Sequence, residues 1–263
     1  MSAPLLDSLR ERTPLVHCVT NLVATTFSAN ALLAVGASPA MVEDAEEAAE
    51  LAAVAGALVV NTGTMSRFRA EGMHAAASAA RDAGTPWLLD PVGVGPLSLR
   101  THVASELLGL GPTVVRGNAS EILALAGREG GGRGVDATVG VEDAADAADE
   151  LARTHGTVVA VSGVVDRLTD GTRVHRVGGG HPLMGRVTAM GCALGAVTAA
   201  FLAAARATGD DPLTAAAAAH AVVGASGAAA GAAARGPGSF VPAWLDELAL
   251  VDGAAAAALV DPA

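Results

Sequence analysis

There is no lysine in this chain of 263 residues; all 16 of its strongly basic side chains are arginine. That single absence removes two large enzyme classes. A P-loop needs a lysine on its phosphates, and a pyridoxal-phosphate enzyme needs one for its Schiff base. Cysteine is almost as scarce. Cys18 and Cys192 cannot make a disulfide framework and are too isolated for a zinc site. Positive charge is short as well, 16 basic residues against 27 acids, for a net charge of −11. Such a surface repels phosphate backbones and acidic headgroups, so no nucleic acid and no membrane partner is expected. The N-terminal run MSAPLLDSLRERTP lacks a basic segment followed by an apolar one. No secretion signal is expected there, and the chain reads as cytoplasmic.

Apolar residues make up 51% of the chain and charged ones 16%, a composition that folds. The length suits one domain over residues 1–263. Two uncharged stretches, 187–205 and 212–234, are long enough to cross a bilayer. They consist mostly of Ala, Gly and Thr, and His220 interrupts the second, so closely packed buried helices are expected instead.

Short β-rich runs alternate with longer helical ones. Strands are expected at 15–19, 57–61, 87–90, 113–116 and 158–162, mostly continuous apolar runs suited to parallel strands covered on both faces. Helices are expected at 22–35, 45–55, 66–83, 121–126 and 142–153. This rhythm predicts an α/β fold with a largely parallel central sheet and helices on both faces. Segments 165–168 and 173–177 flank Asp170-Gly171, read as a two-residue hairpin turn. Two long helices, 191–206 and 212–234, follow. The glycine-rich run 127–134 is too short to separate domains and reads as a loop at the edge of an active site.

Ligands of open α/β sheets sit beyond the C-terminal strand ends. Polar residues cluster there: Thr20-Asn21, Asn61 to Thr64, Asp90-Pro91, Arg116 to Asn118, and Ser162-Gly163. Arg116 suits phosphate oxygens and Glu121 a hydrated Mg²⁺. Asn118-x-x-Glu121 also fits a helix capping box. Asp90 before Pro91 is either a metal–phosphate acid or a turn former. Ser162-Gly163 either binds a phosphate or turns the chain. Met41 and Val42 either line an apolar pocket or belong to the core. His17 and His181 have no metal-ligand spacing and read as structural.

The strongest signal runs from Gly178-Gly179-Gly180-His181-Pro182 to Thr188-Ala189-Met190-Gly191-Cys192. Glycines followed by a helix start place free backbone N–H groups, Gly191's among them, at the positive helix end. Cys192 in the first turn is either a small packed hydrophobe or a thiol whose pKa that field lowers. In the second case it takes or orients a hydroxyl proton.

Six blocks in order then carry a resemblance: PLVHCVTN (14–21), GASPAMVEDAEE (36–47), GALVVNTGT (56–64), LLDPVGVG (88–95), VVRGNASEI (114–122) and HPLMGRVTAMGC (181–192). Together they resemble the hydroxyethylthiazole kinases, a thiamin-salvage branch of the ribokinase-like superfamily. The resemblance implies a ribokinase-like fold and ATP-dependent phosphorylation of the hydroxyl of 4-methyl-5-(2-hydroxyethyl)thiazole. It also implies Mg²⁺ and a homotrimer with active sites at subunit interfaces. Arg116 and Ser162 match ATP-phosphate contacts, Asp90 and Glu121 the Mg²⁺–phosphate acids. Asn21, Met41 and Ala189 match substrate contacts, and Cys192 the position beside the reacting hydroxyl. The family commonly reads Thr-Gly-Thr-Gly-Cys where this chain has Thr188-Ala189-Met190-Gly191-Cys192. The Ala189 methyl is tolerable if its backbone angle is ordinary. Met190 offers no side-chain donor, so the anion hole relies on backbone amides.

Two relatives of the same fold class, a hydroxymethylpyrimidine kinase and an ATP-dependent nicotinamide-nucleotide-hydrate dehydratase, usually carry Asp where this chain has Cys192. A dinucleotide-dependent oxidoreductase needs Gly-x-Gly-x-x-Gly after its first strand, where this chain reads Val-Thr-Asn-Leu. A silent ligand-binding protein is separated from all of these by ATP consumption.

Overall fold

The computed structural model describes residues 2–128 and 140–262. Among them the strands are β1 (Leu15–Val19), β2 (Ser38–Ala40), β3 (Ala57–Asn61), β4 (Trp87–Asp90), β5 (Val114–Asn118), β6 (Val158–Ser162), β7 (Asp166–Thr169), β8 (Val174–Val177) and β9 (Val260–Pro262). They form one sheet in the order β2-β1-β3-β4-β5-β6-β7-β8-β9. From β2 to β6 every pairing is parallel, and β7, β8 and β9 extend that edge antiparallel. The expected largely parallel α/β fold is present.

Period-two alternation sorts the strand residues into two cores. Val59, Leu88, Val114 and Ala160 face one layer; Val60, Leu89, Val115 and Val161 face the other. The first layer holds α1 (Ser2–Arg12), α2 (Thr25–Val35), α8 (Met190–Thr208), α9 (Pro212–Ala233) and α10 (Pro237–Leu250). The second holds α3 (Ala45–Val54), α4 (Arg67–Ala83), α5 (Ser98–Leu108), α6 (Ala119–Leu125) and α7 (Ala145–His155). A short helix, α11 (Gly253–Ala257), precedes β9.

The small-residue helices α8 and α9 are long and apolar enough to cross a membrane, yet 78% and 72% of their most apolar windows are buried within the protein. They belong to the core. Short side chains let α8 lie directly under β1, β3 and β4. That contact carries the N-terminus of α8 to the C-terminal edge of the sheet.

Several local expectations need correcting. Residues 22–24 form a turn, so α2 starts at Thr25. The hairpin loop has four residues, because Thr169 pairs with Val174. Asp170 Oδ1 accepts from the N–H groups of Thr172 and Arg173 and closes the loop. In the glycine-rich run 127–134, residues 129–134 lie outside the described residues. His17 is structural as expected: it is buried, with Nε2 2.8 Å from the Val42 carbonyl oxygen.

Candidate active site

The parallel pairings align the C-terminal ends of β1, β3, β4, β5 and β6 along one edge. Asn61 pairs in register with Asp90, and Asn118 with Ser162. Polar residues at strand ends thus become spatial neighbours.

Asp90 is wholly buried. Its Oδ2 accepts from Asn61 Nδ2 at 2.7 Å. Its Oδ1 has no hydrogen-bond partner and lies 3.8 Å from Arg116 Nη1. Burial pushes the carboxyl up to about 7; Arg116 and Asn61 pull it down, while Glu121 pushes it up. Asn61 Nδ2 also lies 3.3 Å from Cys192 Sγ, and Asn21 Nδ2 reaches both Cys192 Sγ at 3.2 Å and Asn61 Oδ1 at 2.9 Å. The Asn61 Oδ1 accepts from Gly63 N–H as well. Asn61 stands at the centre of this network. In the sequence it is only one residue of a polar strand end; nothing local distinguishes it from any other strand-terminal Asn.

The Cys192 thiol departs from expectation. It lies in the first turn of α8, yet burial and then the nearby Asp90 push it up to about 11. Desolvation and a neighbouring carboxylate both disfavour thiolate, and together they exceed the help of the Asn21 and Asn61 donors and Arg116.

Arg116 Nε donates to Ser162 Oγ at 3.0 Å, joining β5 to β6. Its guanidinium lies against Gly191, where an added Cβ would sit 2.8 Å from Nη1. Gly191 therefore lets the helix end approach the arginine. The Ala193 N–H bonds the Ala189 carbonyl at 2.9 Å, which by helix geometry leaves the preceding amides, from Met190 to Cys192, at the open helix end.

Glu121 and Asn118 realise the capping box. Asn118 Oδ1 accepts from Glu121 N–H, and Glu121 Oε2 accepts from Asn118 N–H, each at 2.9 Å. Glu121 Oε1 also accepts from Gly93 N–H at 3.1 Å, tying the loop after β4 to α6. Met41 follows the edge strand β2 and is partly buried against the first core.

A cavity of about 600 Å³ opens beside Arg116, Ser162 and Gly191. Gly178, Gly179 and Gly180 line its far wall with Met184 and Val223. His181 lines it too and also caps the following 3₁₀ turn, its Nδ1 accepting from Leu183 N–H. A volume of this size suits a nucleotide-sized ligand.

A largely parallel sheet sandwiched between two helix layers, with this polar edge, defines an α/β protein of ribokinase-like fold. Comparison with known proteins narrows the class. Residues 6–253 match the model of the hydroxyethylthiazole kinase family. A hydroxyethylthiazole kinase of Kineococcus radiotolerans is 55% identical over 245 residues, 93% of this chain and 88% of that one. The hydroxyethylthiazole kinase structure from Pyrococcus horikoshii is 39% identical, with a TM-score of 0.89 over 99% of this chain and 98% of that one. A Staphylococcus aureus pyridoxal kinase shares the fold at 18% identity, with a TM-score of 0.58 over 82% of this chain and 88% of that one. The chain belongs to the hydroxyethylthiazole kinase family.

Two stability predictions come from this geometry. Asp90 binds its proton more tightly folded, at about 7, than at the ordinary value of 3.8. The folded state therefore holds more protons between those values, and its stability falls as pH rises through them. In a chelating buffer, urea melts should show Asp90→Asn gaining on the parent from pH 4 to pH 8, and a constant difference would refute the buried charge. Ala189 does not have the ordinary backbone angle that its methyl favours; it is left-handed, with φ 66° and ψ 4°. Ala189→Gly should raise stability by about 0.5–1 kcal/mol after the entropy of unfolded glycine is counted, read as a higher urea midpoint at equal slope.

Proposed function

We propose that the chain transfers the γ-phosphoryl group of ATP to the primary hydroxyl of 4-methyl-5-(2-hydroxyethyl)thiazole, in the cytoplasm. Family membership supports the reaction, and one observation carries the location. Arg116 and the first residues of α8 line a nucleotide-sized cavity, and the same arginine lies 3.8 Å from the orphaned Asp90 oxygen. Arg116 and Ser162 bind phosphate oxygens. The Gly191 amide and its neighbours face the charge that develops on the transferring group.

Magnesium fits this donor set. It keeps several waters and takes one or two carboxylates with substrate phosphates, so a full protein cage is not required. Asp90, through its unpartnered Oδ1, and Glu121, through lone pairs left beside its two backbone donors, would hold it. When bound, it neutralises phosphate charge during transfer.

Asn21 fixes the Cys192 sulfur by hydrogen bonding, and Ala189 precedes the helix end on the substrate side. A thiol at about 11 keeps its proton at neutral pH, so Cys192 orients the substrate hydroxyl rather than serving as a ready base. Phosphoryl transfer depends mainly on positioning and charge stabilisation and tolerates that weakness.

Met41 follows the edge strand β2 and is only partly buried against the first core, which supports a substrate pocket completed by a second copy. Leu22 and Val23, which directly follow Asn21, and Phe68 are all more than half exposed, apolar surface that such a copy would cover. The proposed assembly is a homotrimer. Activity and sedimentation followed across a dilution series should fall together; a fully active monomer would refute the shared pocket.

The test of the reaction is ADP release over a panel of heterocyclic alcohols with ATP and Mg²⁺. The thiazole alcohol should be turned over in preference to pyrimidine alcohols. Asp90→Asn should lose about 10²–10³-fold in kcat, as for other preorganised charge contacts. Cys192→Ala should lose about tenfold in kcat with the ATP KM unchanged, the lesser loss expected of an orienting group. An Ala variant as fast as the parent would make Cys192 a packing residue.

A further inference from the structure

The cavity beside Arg116 contains a second charged side chain, of opposite sign. Asp166, the first residue of β7, lines it together with Ser162 and is 17% exposed. Both carboxylate oxygens are held. Oδ1 accepts from Gly163 N–H at 2.8 Å, and Oδ2 lies 2.6 Å from Nδ1 of His220 on α9. The His220 side chain is wholly buried beneath Asp166, and its Nε2 has no partner. His220 is the one titratable residue in the apolar run of α9.

A carboxylate repels phosphate, so a polyphosphate entering this cavity keeps its charge at the Arg116 and α8 end. Asp166 then faces the uncharged half of the nucleotide. A carboxylate only accepts hydrogen bonds, and its two oxygens offer about four lone-pair directions. Gly163 and His220 use two. The remaining directions suit hydroxyl donors on adjacent carbons, the pattern a ribose presents. An acidic side chain reads the ribose hydroxyl in dinucleotide-binding folds by the same chemistry.

Resting on the nucleotide-site reading above, we infer that Asp166 binds the ribose hydroxyls and that His220 is its positioning residue. His220 donates from Nδ1 and fixes the carboxylate rotamer from below. Gly163 fixes it from the side, directly after Ser162. The same short turn therefore sets the phosphate contact and the sugar contact, and with them the spacing between the two halves of the ligand.

Titration calorimetry of ADP, 2′-deoxy-ADP and 3′-deoxy-ADP tests this on the parent, Asp166→Ala, Asp166→Asn and His220→Phe. The parent should bind at least one deoxy nucleotide about tenfold more weakly than ADP, as one charge-assisted hydrogen bond warrants. Asp166→Ala should bind ADP about tenfold more weakly and no longer distinguish the three, and Asp166→Asn should narrow the difference. His220→Phe should also narrow it while leaving the KM of the alcohol unchanged, a selectivity that mere loss of packing would not show. Equal binding of all three nucleotides by the parent would overturn the inference without any variant, and so would undiminished discrimination by Asp166→Ala or Asp166→Asn. Undiminished discrimination by His220→Phe would overturn the positioning role of that residue. A parent that binds no ADP at all would instead overturn the nucleotide site itself, a separable failure.

Discussion

The Asn61 carboxamide works from both ends at once. Its nitrogen donates to Asp90 and contacts the Cys192 sulfur, while its oxygen accepts from Asn21 and from Gly63 N–H. Few side chains can do both; a carboxylate offers no donor when ionised, and an ammonium offers no acceptor. This one neutral group links the ends of β1, β3 and β4 to the start of α8. It also does so without placing a second negative charge beside Asp90. Burial still wins over its help, which is why the Asp90 carboxyl stays well above the ordinary range. The edge of the sheet thus stores instability in the folded state, as sites arranged for binding charge commonly do.

A second constraint follows from how close α8 must come. With 2.8 Å between a would-be Cβ at Gly191 and the Arg116 guanidinium, any larger residue there would push the helix end away from the arginine. Moving it would separate the backbone amides from the cation that shares their task. Small residues along α8 serve the same end at longer range, because they let the helix lie against β1, β3 and β4. The alanine and glycine content of this segment is therefore a matter of geometry at the site as well as of packing.

Strands β1, β3, β4 and β6 were legible to the residue, since each is an apolar run, broken only by His17 in β1, that leads into a polar corner. The short edge strands were not. β2 and β9 contain three residues each and include Pro39 and Pro262, so propensity argues against them. α10 was hidden by Gly238 and Pro242 in its own sequence. Tertiary contact compensates, with Trp244 stacked on Phe27 at 5.4 Å between ring centroids. At the site, the residue types and their strand-end positions were readable, and so was the capping box. The Cys192 environment was not, because the thiol is set by its burial and by the charge of Asp90 from β4, opposed by asparagines from two other strand ends. Asp166 and His220 were hidden for the same reason, lying 54 positions apart.

The missing lysine ties these points together. A chain of net charge −11 with no ammonium side chain must still attract a polyanion. Local field, not net charge, decides that, and here the positive field comes from groups of fixed direction. Arg116 is held by Ser162, and the amides of α8 are held by the helix. Such groups pay little reorganisation cost when charge develops on a transferring phosphoryl group. A lysine would supply the same charge as a point ammonium at comparable rotamer entropy, without the planar fork that fixes the direction of several donors at once. In the proposed site the negative side chains near the cavity then restrict where the polyanion lies: phosphate toward Arg116, uncharged atoms toward Asp166. Orientation of the ligand thus arises from the ordering of charges along one sheet edge, and that ordering is fixed by the strand sequence β4, β5, β6, β7 itself.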